Sequence, residues 1–125
     1  MIGIDYEKAV VALTCWKQMK GENYRGMVSL ASVFRNRADA GWFQGTIYNN
    51  AIAFGREQNM TWDDFPDARE PQFQMLLQAI DGIFKGTLPD KTGGAMYCAH
   101  ASATDSIAGE ITTKIGQYIF FRGTE

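Results

Sequence analysis

Helices first and strands last: the sequence predicts an α+β fold, with an N-terminal helical hairpin and a further helix followed by a small C-terminal antiparallel sheet. In the first two thirds, apolar residues recur at helical spacing in three segments, each closed by a glycine. The last third holds short runs rich in Ile, Thr, Tyr and Phe, set between turn-forming residues. No linker composition and no internal repeat divides the 125 residues, so the chain reads as one domain over 1–125.

The first helix is expected over residues 5–20. Asp5 serves as its N-cap, Ala9, Val10, Leu13, Trp16 and Met19 form its apolar stripe, and Gly21 supplies the positive φ of a helix stop. The second runs from Asn23 or Tyr24 to Ala40, burying Met27, Leu30, Ala31 and Phe34, with Gly41 as its stop. Residues 41–70 are less regular and rich in aromatics (Trp42, Phe43, Tyr48, Phe54, Trp62 and Phe65), with one short helix over 46–53. A long loop of this kind is more often functional than idle. Pro71 then opens a helix over 71–84, with Phe73, Leu76, Leu77, Ile80 and Phe84 inward and Gly86 beyond its end. After the turn at residues 90–94, strands are expected over 95–98, 111–115 and 118–122, the last two joined at Gly116-Gln117.

Hydrophobic residues make up 46% of the chain and charged residues 21%, which is the balance of a folded globular domain. Twelve basic against fourteen acidic residues give a net charge of −2, and this disfavours a nucleic-acid or anionic-membrane surface. No apolar run approaches the ~18 residues of a membrane span, so membrane insertion is not expected. Residues 1–7 lack the basic and apolar regions of an export signal, so the expectation is synthesis in the cytoplasm, with action in the periplasm or carriage in a virion.

Cys15 and Cys98 lie in no CxxC or Cys/His cluster and read as small apolar residues, and His100 has no second imidazole. Metal sites, a catalytic triad and a phosphate loop are thereby set aside, and carboxylates remain as the source of chemistry. Glu22 stands between the first two helices, Asp90 precedes Thr92-Gly93-Gly94, and Asp63 and Asp64 lie in the aromatic loop. A carboxyl that protonates a glycosidic oxygen beside exposed Trp and Tyr rings is the arrangement glycoside cleavage needs. A carboxylate at a helix start is, however, more often a cap or solvated.

The order of three blocks resembles a family. Trp16-Lys17-Gln18-Met19-Lys20-Gly21-Glu22-Asn23-Tyr24-Arg25-Gly26, followed by Asn36-Arg37, is similar to the opening Glu-Ala-x-Gly-Glu and later Asn-Arg of the spore-cortex-lytic, SleB-like cell wall hydrolases. Asp90-x-Thr92-Gly93-Gly94-Ala95 resembles their Asp-Pro-Thr-Gly-Gly-Ala. Ile115-Gly116-Gln117-Tyr118-Ile119-Phe120-Phe121-Arg122 resembles their Ile-Gly-x-His-x-Phe-Tyr-Arg. The resemblance implies a lysozyme-like domain acting on peptidoglycan glycan strands as a lytic transglycosylase or muramidase. One carboxyl serves as acid and then base, and neither cofactor nor metal is implied.

Three departures stand out. Gln18 occupies the position of the family's first Glu, the catalytic acid, and an amide neither gives nor takes the required proton. Met19 replaces a small residue, and Tyr118 stands in the position of the His. A helix running through Gly21 would place Glu22 one turn from Gln18 on the same face, with Glu22 as acid and Gln18 bound to substrate. Otherwise Glu22 caps the second helix or pairs with Arg25 or Arg37. Asn36 and Arg37 are expected to tie the hairpin to the sheet. Asp90 and Thr92 shape a turn or line the cleft beside Tyr97 and Tyr118, and His100 is a substitute for the lost imidazole or a bystander. Two readings follow: a phage- or prophage-type cell wall hydrolase, or a silent member of the fold that binds glycan or a host protein through its aromatic segment.

Overall fold

The computed structural model describes residues 2–123 other than 68, 104 and 106, and side chains from residue 6 onward. Helix α1 spans Ile2–Gln18. It starts three residues before Asp5, which therefore lies in the first turn and is not the cap. Val10, Val11, Ala12, Leu13, Thr14 and Cys15 are all essentially inaccessible. A helix buried on every side belongs at the centre of a domain, and α1 packs against the three helices that follow.

Helix α2, Tyr24–Asp39, is capped by Asn23, whose Oδ1 accepts the Gly26 N–H at 3.2 Å. Met27, Leu30, Ala31 and Phe34 are buried as the spacing requires. Gly41 follows in the left-handed region with φ 88°. Trp42–Gly45 is a tight turn, and Thr46 caps helix α3, Ile47–Glu57. This helix runs four residues past the expected 46–53. Phe54 continues its buried face and meets Phe34 with ring centroids 5.4 Å apart, while Gly55 leaves room for the Trp62 ring across the helix. Residues 41–70 are therefore partly helical, and among the described residues the irregular stretch is confined to 58–67 and 69–70. Helix α4, Pro71–Lys85, has Pro at its start and Gly86 at φ 77° as its stop. Ile83 is buried there, whereas Leu77 and Phe84 are only half-buried.

Strands β1 (Tyr97–His100), β2 (Ile111–Ile115) and β3 (Tyr118–Phe121) form an antiparallel sheet in the order β1-β3-β2. β1 begins two residues later than the expected 95–98, where α2 claims the chain instead. Asn36 Nδ2 donates to the Ala95 carbonyl at 2.9 Å, and Arg37 Nε donates to the Met96 carbonyl at 2.7 Å. Phe120 and Ile115 carry the sheet's contribution to the common core. Cys15 and Cys98 are free thiols. Among the described residues no helix is long and apolar enough to cross a membrane.

Candidate active site

A groove of about 470 Å³ lies where the ends of α1 and α3 meet the sheet. Gln18, the last residue of α1, lines it together with Arg37, Glu57, Tyr97, His100 and Tyr118. Gln18, Tyr97 and Tyr118, separate in sequence, thus come to one place. The Tyr118 hydroxyl donates to the Gln18 carbonyl at 3.1 Å, pinning the helix end to β3. Burial raises the Tyr118 pKa, and Cys98 and Glu22 act in the same direction. The Cys98 thiol, another lining residue, is pushed up to about 12, mainly by burial with Arg37 opposing.

Of the two readings, the structure takes the one in which Gly21 stops the first helix. α1 stops at Gln18, and Gly21 turns the chain with φ 97°, so Gln18 and Glu22 are not one helical turn apart. Glu22 is half-buried beneath the β2–β3 turn, where its Oε2 accepts the Gln117 N–H at 3.4 Å. It does not cap α2, a role taken by Asn23. Its charge is felt by Tyr118, but Glu22 is not among the residues that line the groove.

Asp90 and Thr92 spend their hydrogen-bonding capacity on a turn. Asp90 Oδ1 accepts from the Thr92 N–H at 2.8 Å and its hydroxyl at 2.6 Å, and Oδ2 accepts from the Gly94 N–H at 2.9 Å. Asn36 Nδ2 reaches Asp90 Oδ2 at 3.2 Å, so this turn is also the joint between α2 and the sheet. Burial pushes the Asp90 pKa up, but these hydrogen bonds outweigh it and hold the carboxyl below its ordinary value. Thr92 is fully buried, and neither residue lines the groove beside Tyr97.

Three groove residues carry more than the sequence suggested. Glu57 contributes a carboxylate to the wall. A helix ending at residue 53 left it in a loop, and the signal that would have placed it was Phe54 extending the apolar face. The Arg37 guanidinium, besides holding Met96, lies 4.9 Å from the Trp42 ring centroid and 5.3 Å from that of Tyr97. Burial lowers the Arg37 pKa, with the Glu57 charge foremost in opposing it. His100 pairs directly across the sheet with Tyr118, their rings edge to face at 5.3 Å. Its Nδ1 lies 2.8 Å from the Ser102 hydroxyl and 3.2 Å from the Ser102 N–H. The resemblance puts a His at position 118, and here an imidazole stands on the neighbouring strand instead. Asp63 and Asp64 remain exposed on the loop, Asp63 paired with Thr61 and Lys17.

A central helix, three flanking helices and a small sheet, with a groove where they meet, define a lysozyme-like α+β domain. Residues 21–121 match the family model of cell wall hydrolases, and the chain belongs to that family. Its structure is similar to the catalytic domain of the germination-specific lytic transglycosylase SleB from Bacillus anthracis. The two share 25% identity and a TM-score of 0.66 over 93% of each chain. It is similar also to the catalytic domain of SleB from Bacillus cereus, at 24% identity and a TM-score of 0.63, covering 93% of this chain and 89% of that one. No curated protein matches the chain. The family match takes in Glu22, the Asp90 turn, Tyr97 and Tyr118, and begins three residues after Gln18.

Proposed function

We propose that this protein cleaves the glycan strands of peptidoglycan, as a lytic transglycosylase or a muramidase, with Glu22 as acid and then base and with Gln18 hydrogen-bonding the sugar. One observation carries the reading: Gln18, Tyr97 and Tyr118 meet in a single groove, and Glu22 is close enough for its charge to act on Tyr118. Aromatic faces and a buried cation suit a sugar chain bearing carboxylates. Glu22 gives a proton to the glycosidic oxygen as the bond to the anomeric carbon breaks. The resulting carboxylate then takes a proton from the attacking hydroxyl, which is the sugar's own 6-hydroxyl in a transglycosylase and water in a muramidase. Gln18 supplies hydrogen bonds but no proton, so turnover is slower than with a carboxyl at that position.

A second reading has its own support. Gln18 is an amide and Glu22 lies outside the groove wall, which favours a silent member of the fold that binds glycan or a protein partner. Mass spectrometry of muropeptides released from peptidoglycan separates the two, with Gln18→Glu, Glu22→Gln and Glu57→Gln in parallel. Anhydromuropeptides from the unmodified protein, lost with Glu22→Gln and retained with Glu57→Gln, support the first reading. Loss with Glu57→Gln alone moves the acid to α3. Products from Gln18→Glu only mark a disarmed hydrolase.

A further inference from the structure

A second and larger groove, of about 850 Å³, runs along the α1–α3 face. Tyr6, Phe43, Tyr48 and Trp62 line it, together with Arg56 and Glu57. Glu57 lines both grooves, so the two share that residue as a wall. Tyr6 and Tyr48 face each other with ring centroids 6.5 Å apart, while Trp62 donates its indole N–H to Thr14 Oγ1 at 2.8 Å. Tyr6 precedes Gln18 by twelve residues on one helix, so the aromatic track extends roughly 18 Å from the groove that holds Gln18.

The turn before α3 holds one of these rings out to solvent against the preference of its backbone. Phe43 and Gln44 both have positive φ, at 50° and 66°, a conformation that costs about 1–2 kcal/mol for each non-glycine residue. Two asparagines secure it. Asn50 Nδ2 donates to the carbonyls of Trp42 at 2.9 Å and Thr46 at 2.8 Å, and Asn49 Nδ2 donates to the Phe43 carbonyl at 3.3 Å. Phe43 is left 51% exposed at the groove edge. A ring held exposed on a strained, well-anchored turn is a ready contact surface.

We propose that this α1–α3 groove is a second saccharide-binding track, which holds the same glycan strand beyond the Gln18 groove. The assignment rests on the proposed peptidoglycan substrate. The two grooves adjoin at Glu57, which favours a polymer already seated in the first groove over an unrelated ligand. Four rings flanked by the side-chain amides of Gln44 and Asn49 match a sugar's apolar face and polar rim. Arg56 offers a cation to the lactyl and peptide carboxylates that such strands carry.

The test uses fluorescently labelled, soluble peptidoglycan glycan strands in short and long fractions, with anisotropy read before cleavage proceeds. Cleavage of each fraction is followed separately. Phe43→Ala and Arg56→Ala, both at exposed positions, are compared with the unmodified protein after thermal melts show that they fold. The expected result is tighter binding of long strands by the unmodified protein and a loss of roughly tenfold for long strands in each variant. Short-strand binding should be unchanged, and for long strands KM should rise at constant kcat. Equal affinity for both lengths, or variants that bind long strands like the parent, overturns the proposal, as does self-association that closes this face. Length-dependent binding without cleavage in any form sinks the enzymatic reading and keeps the track. Cleavage with length-independent binding does the reverse.

Discussion

Gly116 decides where Glu22 can sit. At φ 57° it closes the β2–β3 turn, and a Cβ built there would overlap Glu22 Oε1. Gly116→Ala thus costs about 1–2 kcal/mol for the left-handed backbone and also drives the carboxylate away from the Gln117 N–H. The expected outcome is a melting temperature lower by several degrees and a loss of muropeptide release as large as that from Glu22→Gln. A lower melting temperature with undiminished release would remove Glu22 from the chemistry. At this scale the resemblance points to Gln18, Tyr97 and Tyr118 together, and the three line one groove. Gly21 marks the helix stop before Glu22, but nothing local shows that Glu22 then turns to the Gln117 N–H, ninety-five residues away.

At the scale of elements, α3 is held to α1 by Trp62, whose ring crosses Gly55 and whose N–H reaches Thr14. Replacing Gly55 by Ala tests which effect is larger. Helix propensity favours Ala by about 1 kcal/mol, but the added methyl would overlap the Trp62 ring. Expelling a large aromatic and its hydrogen bond costs more, on the order of 2–4 kcal/mol. Gly55→Ala should therefore lower the urea midpoint and shift tryptophan emission to the red; a raised midpoint would show that Trp62 is not seated there. The same glycine is why the sequence pattern predicts a shorter α3. Gly within a helix pattern weakens the local signal, and its purpose is visible only once residue 62 lies over it.

The whole molecule has an alkaline limit set by its thiols. Burial raises Cys15 and Cys98 from the ordinary 9.0, Cys98 to about 12. Above pH 9 the unfolded chain releases protons that the folded chain keeps, so the folded state loses ground as pH rises. The stabilisation is fully present below the ordinary thiol value and drains at up to about 1.4 kcal/mol per pH unit for each thiol. Half-buried Tyr118 adds to the same trend. Urea midpoints taken at intervals between about pH 8 and about pH 11 should fall steadily, and Cys98→Ala should flatten that slope. An unchanged slope would place Cys98 in water.

What the sequence determined by itself was what neighbouring residues decide among themselves. Asn23 and Gly41 bound α2, Pro71 and Gly86 bound α4, Asp90 and Thr92 build their turn, and the strands at 111 and 118 meet at Gly116. Each rests on caps, turn chemistry or periodicity within a few residues. Only the tertiary structure placed α1 at the centre, set His100 opposite Tyr118, delayed β1 by two residues and made Glu57 a wall of two grooves. Those outcomes depend on contacts between residues dozens of positions apart, such as Asn36 with Ala95 and Trp62 with Thr14, and no local pattern encodes which distant partner will claim a side chain.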